Sequence, residues 1–182
     1  MKKTIAYFIL FLSLNIFSQT KYITKTGEVV FEASVSSFEE VKAVNKSVTA
    51  IIDTDSGEFA ALVLVKGFRF KNALMEEHFN ENYAESDKYP KAIFKGNLED
   101  FTIDKLQSNS LVKISGTLTF HGISKKLEYI PLKVSKEGDL IKMSGSFKVK
   151  ASDFNIKIPK IVSDKVSETV EVFLNFILEK KN

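Results

Sequence analysis

Apolar and polar residues alternate along three segments in the second half of the chain. A period of two is typical of antiparallel strands that bury one face and leave the other in solvent. Pro131 interrupts the middle segment, and because it has no N–H to give to a ladder, we expect it at an edge, at a bulge or out of register. The apolar members are Val112, Ile114, Leu118 and Phe120 around Gly116, then Ile130, Leu132 and Val134, and finally Ile141, Met143, Phe147 and Val149.

Two further segments are apolar on both faces, namely 59–65 and Val170–Leu178. In the second, Phe173 and Ile177 oppose Val172, Leu174 and Phe176, so a helix, a second sheet or a ligand is expected to cover the outer face. Turn residues separate the strands at 26–28, 53–57, 121–122 and 136–139. Seven to nine strands with short connections predict an all-β sandwich or barrel.

One segment departs from the period of two. Met75, Phe79 and Tyr83 are four residues apart, which predicts one short helix near 72–85 with an apolar stripe. Asn72 is a suitable N-cap, and Pro90 follows where a helix does not continue. Among strands, this helix would be a lid on an open barrel end or a plain crossover that covers the core.

The N-terminus has the layout of a secretory signal peptide. Lys2 and Lys3 precede an apolar run from Ile5 to Phe17, and Ser18 supplies a small residue at the cut. The run is shorter than the roughly 20 residues of a membrane span. We therefore expect a signal peptide over 1–18, a single domain over 19–182, and a periplasmic or secreted protein without a membrane span.

Composition excludes several kinds of chemistry. The chain has no Cys, which removes thiol catalysis and cysteine metal sites, and its only Arg is Arg69, which argues against a nucleic-acid partner. Residues 19–100 carry 10 basic and 14 acidic side chains, whereas residues 101–182 carry 14 and 9. This asymmetry indicates either a docking face in the C-terminal half or ordinary solvated strand faces.

The sequence offers little for a catalytic site. It contains neither a Gly-x-Ser-x-Gly elbow nor a glycine-rich phosphate loop, so we predict no catalytic residue and no cofactor. A weak metal hypothesis can be built on His78, Glu81 and His121, since His78 and Glu81 share a helix face. We predict no metal site and a solvated or capping role for these side chains.

Phenylalanine is abundant, with 16 residues in the chain and 13 of them after residue 18. These rings either fill a β core or line an elongated apolar cavity, and alternation alone favours filling. In the second case Phe68 and Phe70, before the helix, and Phe79 and Tyr83, on it, would lie near the mouth.

Two motifs resemble the signature of the YceI-like family. The first runs from Asn72 to Gly96 and contains Leu74, Met75, Glu77, His78 and Phe79 followed by Lys88, Tyr89, Pro90 and Phe94. The second is the hairpin 112–126, with a weaker third match over 148–166. The opening segment 26–34 has no His, and Lys150 stands where the family often has Arg.

The resemblance implies an extended, antiparallel, lipocalin-like β-barrel of about eight strands, usually exported, whose interior takes a long isoprenoid or another amphiphilic lipid. Our leading hypothesis is thus an exported, non-catalytic lipid carrier. The alternative is a solid-cored β domain that acts as a protein-binding or stress-response accessory in the periplasm. The sequence does not distinguish a monomer from a homodimer. The candidate lipid contacts are Phe31, Phe68, Phe70, Phe79, Tyr83, Phe94 and Phe120.

Overall fold

The structure, a computed structural model, describes residues 20–35, 39–106 and 110–181. The predicted signal peptide lies outside these residues. Nine strands and one α-helix, α1 (Ala73–His78), follow one another along the described chain. The strands are β1 (Lys21–Ser34), β2 (Lys42–Asp53), β3 (Glu58–Leu64), β4 (Arg69–Phe70), β5 (Lys91–Leu98), β6 (Ser110–Phe120), β7 (Ile123–Glu137), β8 (Leu140–Lys150) and β9 (Val166–Lys180).

Eight of the strands close into an antiparallel barrel. The order is β1-β9-β8-β7-β6-β5-β3-β2, and β1 pairs with both β9 and β2, so the sheet returns to its first strand. The two residues of β4 pair with β2. We call the end at which β1, β3, β6 and β8 finish the upper end. The segments 65–90, which include α1, and 151–165 lie there.

Pro131 marks the place where β7 and β8 part. It pairs with Lys113 of β6, whereas the ladder between β7 and β8 begins at Leu132 and runs toward the lower end. The missing N–H therefore costs no bond to β8. A bulge opposite Ile114 and a positive φ at Tyr129 lie just before it. Pro131 is in register with Lys113, so of the three predicted alternatives the structure shows a locally unpaired edge toward β8, with a bulge close by.

The predicted turn at 26–28 is wrong, because Gly27 lies inside β1. A Cβ at Gly27 would lie 2.5 Å from Cδ1 of Phe176 on the neighbouring strand β9, so the glycine provides room for that ring. The turns at Asp53–Gly57, His121–Gly122 and Gly138 are confirmed, with positive φ at each of the three glycines.

The outer face of β9 is also not covered as expected. Phe173 and Ile177 are 39% and 50% exposed on the outside of the barrel, whereas Phe176 and Leu178 are buried. One face of β9 is therefore buried, whereas the apolar side chains on its other face are exposed to solvent, as isolated apolar residues on protein surfaces commonly are.

The α-helix ends at His78 and is therefore shorter than the predicted segment 72–85. Asn72 caps α1, since its side chain accepts hydrogen bonds from the backbone N–H groups of Leu74 and Met75. After His78 the chain continues as a π-helical turn over Phe79–Tyr83, and Ala84 N–H donates to the carbonyl of Phe79. The wider turn keeps both Phe79 and Tyr83 directed at the barrel. In the described part of the chain, no helix has the length and apolar character needed to cross a bilayer.

Candidate functional site

The upper part of the barrel encloses an apolar cavity of about 520 Å³. Along β3 every second side chain points into the cavity, namely Phe59, Ala61 and Val63, and the residues between them lie on the outer face. The same alternation supplies wall residues from β1, β5, β6, β7, β8 and β9. Ligand sites in proteins have volumes of this order and mostly apolar walls.

A solid floor closes the cavity toward the lower end. Fully buried side chains from β2, β7, β8 and β9 pack together there, and Tyr22 of β1 joins them. The barrel interior is therefore divided into a packed lower part and a hollow upper part. The floor side chains are Tyr22, Ile52, Val134, Ile141 and Leu178.

Four phenylalanines form a cluster where α1 meets the barrel wall. The ring of Phe31 lies 5.0 Å from Phe68 and 5.1 Å from Phe79, measured between centroids. Phe70 lies 5.3 Å from Phe79 and 5.7 Å from Phe31. Because β1, the segment before α1 and the π-helical turn each contribute a ring, the cluster fixes the helix over the cavity.

All seven aromatic residues named from the sequence lie on the cavity wall. Tyr83 lines the cavity from the π-helical turn, the ring of Phe94 on β5 lies 6.3 Å from that of Phe59, and the ring of Phe120 on β6 lies 5.7 Å from that of Phe154. Their position is a finding, whereas their contact with a lipid remains a prediction. The seven are Phe31, Phe68, Phe70, Phe79, Tyr83, Phe94 and Phe120.

Sequence reasoning missed wall residues of two kinds. The first kind are aliphatic and aromatic side chains of β8 and β9, such as Phe147 and Val172, which alternation placed on a buried face without assigning them to a site. The second kind lie in the segment after β8, where Ile158 and Val162 reach the wall without any strand pattern.

A few polar side chains interrupt the wall, and all of them lie at the upper end. His78, Glu39 and Lys165 are exposed, so the cavity reaches the surface between α1 and the segment that precedes β9. A long ligand would therefore have its apolar part inside and its polar end at this mouth. The polar wall residues are Glu39, His78, Tyr83, Lys150, Lys165 and Ser167.

His121 joins three segments of the upper end. Its Nδ1 donates to the carbonyl oxygen of Phe154 at 2.9 Å, and its Nε2 lies 2.6 Å from Oε2 of Glu85. The ring of Tyr89 packs edge-on against it at 4.6 Å. The turn between β6 and β7 is thereby tied both to the segment after α1 and to the turn after β8, which sets the edge of the mouth.

The weak metal candidates are not brought together. Both ring nitrogens of His121 are engaged by Phe154 and Glu85, whereas His78 lines the cavity mouth. Within residues 20–35, 39–106 and 110–181, no three His, Asp or Glu side chains are grouped as a metal site would require. His121 is instead a structural link.

Asp153 anchors the turn that follows β8. Its carboxylate is paired with the ammonium of Lys125 and accepts a 2.7 Å hydrogen bond from the backbone N–H of Lys150. Lys125 and the Lys150 N–H hold the pKa of the Asp153 carboxyl below its usual value of 3.8. The lowered pKa means that the folded state favours the ionised form.

We expect Asp153→Asn to lower the free energy of unfolding at neutral pH by about 1 kcal/mol or less, because the pair is partly solvated. The folded pKa is below the unfolded one, so this contribution is full above pH 3.8 and is lost as the pH falls through the folded pKa. Urea unfolding between neutral pH and pH 3 should therefore show the two proteins converging.

Asp164→Asn is the control for Asp153→Asn, since it removes an exposed carboxylate from the same stretch of chain. It should change the free energy of unfolding by less than about 0.5 kcal/mol. A constant difference between Asp153→Asn and the wild type over the whole pH range would contradict the stabilising role of the ionised Asp153.

Comparisons with known proteins agree with this architecture. A family model described as the YceI-like domain matches residues 17–178. No curated protein matches the chain at a significant level. Solved structures do match.

The similar structures share the fold at low sequence identity. A polyisoprenoid binding domain from Saccharophagus degradans, implicated in plant cell wall breakdown, has a TM-score of 0.76 and 17% identity, covering 90% of this chain and 99% of that one. BcnA of Burkholderia cenocepacia has a TM-score of 0.68 and 16% identity, covering 83% and 95%. The YCEI protein of Campylobacter jejuni has a TM-score of 0.58 and 22% identity, covering 80% and 87%.

Proposed function

Because the chain belongs to the YceI-like family, we propose that it binds a long apolar lipid of the isoprenoid class inside the barrel. The observation that carries the proposal is the cavity between the solid floor and α1, whose wall is almost entirely aliphatic and aromatic. A related fold from Saccharophagus degradans is a polyisoprenoid binding domain, which supports the same ligand class here.

Affinity would come from removing the lipid tail from water. Each Å² of apolar surface buried contributes about 25 cal/mol before the costs of association and ordering. The rings of Phe31, Phe79 and Phe94 would supply much of that contact area, because they are large and already held by neighbouring rings. The polar residues at the mouth would select the head group.

A binding role fits the wall better than a catalytic one. Its aliphatic and aromatic side chains supply contact area, and the polar side chains of the wall lie at the upper end, where Glu39, His78 and Lys165 are exposed. The alternative of a solid-cored, protein-binding domain is less well supported, because a packed core fills only the lower part of the barrel.

We also propose that the protein is exported, on the strength of the layout of residues 1–18. Cleavage after Ser18 would leave Gln19 as the first residue of a periplasmic or secreted protein. Mass spectrometry of the protein recovered outside the cytoplasm tests this, and recovery of the intact Met1 chain from the cytoplasm alone would refute it.

The binding proposal is tested with the purified protein and two probes of matched tail length, a polyprenol and an isoprenoid quinone. Organic extraction followed by mass spectrometry should recover lipid from the protein, and the stripped protein should take up at least one probe in equimolar amount. Absence of extracted lipid together with failure to take up either probe would refute the proposal.

A further inference from the structure

The segment Lys157–Lys165 has one side on the cavity mouth and another in solvent. Ile158 and Val162 lie on the cavity wall, whereas Ile161, between them in the chain, is 89% exposed. A 3-10 turn over Lys160–Val162 produces this arrangement, with Val162 N–H donating to the carbonyl of Pro159 at 3.0 Å. An apolar tip thus projects from the edge of an apolar cavity.

The same segment is basic. It contains Lys157, Lys160 and Lys165 against one acid, Asp164. Among the residues that the structure describes, none of these three lysines forms an ion pair. Their charges are available to an external anion.

The opposite side of the mouth has no comparable excess of unpaired basic side chains. Residues 65–90, which include α1, carry five acidic and four basic side chains. All four of these basic side chains form ion pairs. An anionic surface would therefore be attracted more strongly by the segment Lys157–Lys165 than by this side. The charge distribution therefore selects one edge of the mouth for contact and leaves α1 away from it.

We propose that the segment Lys157–Lys165 docks the protein on an anionic phospholipid bilayer. Ile161 inserts among the head groups, and Lys157 and Lys160 lie against the lipid phosphates. An apolar tip combined with basic neighbours is the combination that binds such surfaces. The inference rests on the proposed function for its purpose, because docking here brings the cavity mouth to the membrane that holds an isoprenoid lipid.

The test is co-sedimentation of the purified protein with vesicles that contain no isoprenoid. One set is phosphatidylcholine alone, and the other is equal parts phosphatidylcholine and phosphatidylglycerol. We expect binding to the anionic set, little binding to the neutral set, and loss of binding at about 1 M salt, where the screening length falls to about 3 Å.

Two variants locate the contact. Ile161→Ser should weaken binding to anionic vesicles about tenfold, the loss expected for one large apolar side chain. Lys157→Gln combined with Lys160→Gln should weaken it about 25-fold, at about fivefold for each lysine. Leu111→Ser, which removes a 77% exposed leucine near the lower end of the barrel, and Lys133→Gln combined with Lys136→Gln are the matched controls and should have no effect.

Equal binding to both vesicle sets, no binding to either, or equal losses in the variants and their controls would each overturn the docking proposal. Uptake of polyprenol from detergent micelles separates this result from the binding proposal. Uptake without vesicle binding overturns docking alone, whereas vesicle binding without uptake overturns the lipid-binding function and leaves docking in place.

Discussion

Ala61→Phe is expected to weaken binding of a long polyprenol about tenfold or more while leaving the barrel folded. Ala61 lies on β3 between Phe59 and Val63, and all three residues line the cavity. A ring at this position would take space that the lipid tail needs. Losing about 60 Å² of tail contact at about 25 cal/mol per Å² corresponds to about tenfold in affinity. Titration of the polyprenol into the stripped protein measures the effect.

The matched control is Ala60→Phe, one residue earlier on the same strand. Successive side chains of a strand point to opposite faces, and Ala60 is not part of the cavity wall. This variant should bind as the wild type does. A polyprenol of shorter tail should also lose less affinity to Ala61→Phe. If Ala61→Phe and Ala60→Phe bound the long polyprenol equally well, the tail would not pass Ala61, and the cavity would not be its site.

The strands and their buried faces could be predicted because alternation follows directly from the geometry of a strand. The segment Val112–Phe120 was expected to bury Ile114, Leu118 and Phe120, and all three line the cavity. Closure into a barrel could not be predicted from the alternation, since a sandwich gives the same alternation. That choice came from the family resemblance and is confirmed by the pairing of β1 with both β9 and β2.

Whether the interior was hollow could not be predicted, because side chains that fill a core and side chains that line a cavity occupy the same positions of a strand. Met143 lines the cavity, and Ile141, two residues earlier on the same face of β8, belongs to the floor. The difference depends on how many large side chains meet at one level of the barrel. That number is set by the register between the strands, so it cannot be read from any one segment of the sequence.

Contacts between segments far apart in the chain could also not be predicted from the alternation of apolar and polar residues. His121 and Glu85 are 36 residues apart, and their pairing depends on where the π-helical turn ends and on the turn between β6 and β7. From the sequence, a solvated or capping role for His121 was preferred to metal binding only because such roles are more common. The structure shows what the side chain does, since each of its ring nitrogens has a hydrogen-bond partner.

Gly116→Ala is expected to lower the free energy of unfolding by about 3 kcal/mol, the upper part of the range for forced overpacking. Gly116 faces Gly96 across β5 and β6. A Cβ at Gly116 would lie 2.3 Å from the carbonyl oxygen of Lys95 and 2.6 Å from Cα of Gly96. These are backbone atoms of the neighbouring strand, which cannot rotate away as a side chain can.

The ring of Phe94 lies over both glycines, with its Cζ 2.7 Å from the same Cβ position, so the substitution also displaces a wall residue of the cavity. Urea unfolding measures the loss.

Gly138→Ala separates this steric effect from the cost of replacing a glycine as such. Gly138 has φ +58°, and a Cβ there would meet no atom within 4 Å. Its replacement should cost only about 1–2 kcal/mol, the penalty of a left-handed residue. Gly116 has no such φ, so its larger expected loss comes from steric overlap with the backbone of β5 and with the ring of Phe94. A loss at Gly116 no greater than that at Gly138 would show that the two strands can separate at little cost. The position of the Phe94 ring beside Gly96 and Gly116 would then not depend on the absence of side chains at these two residues.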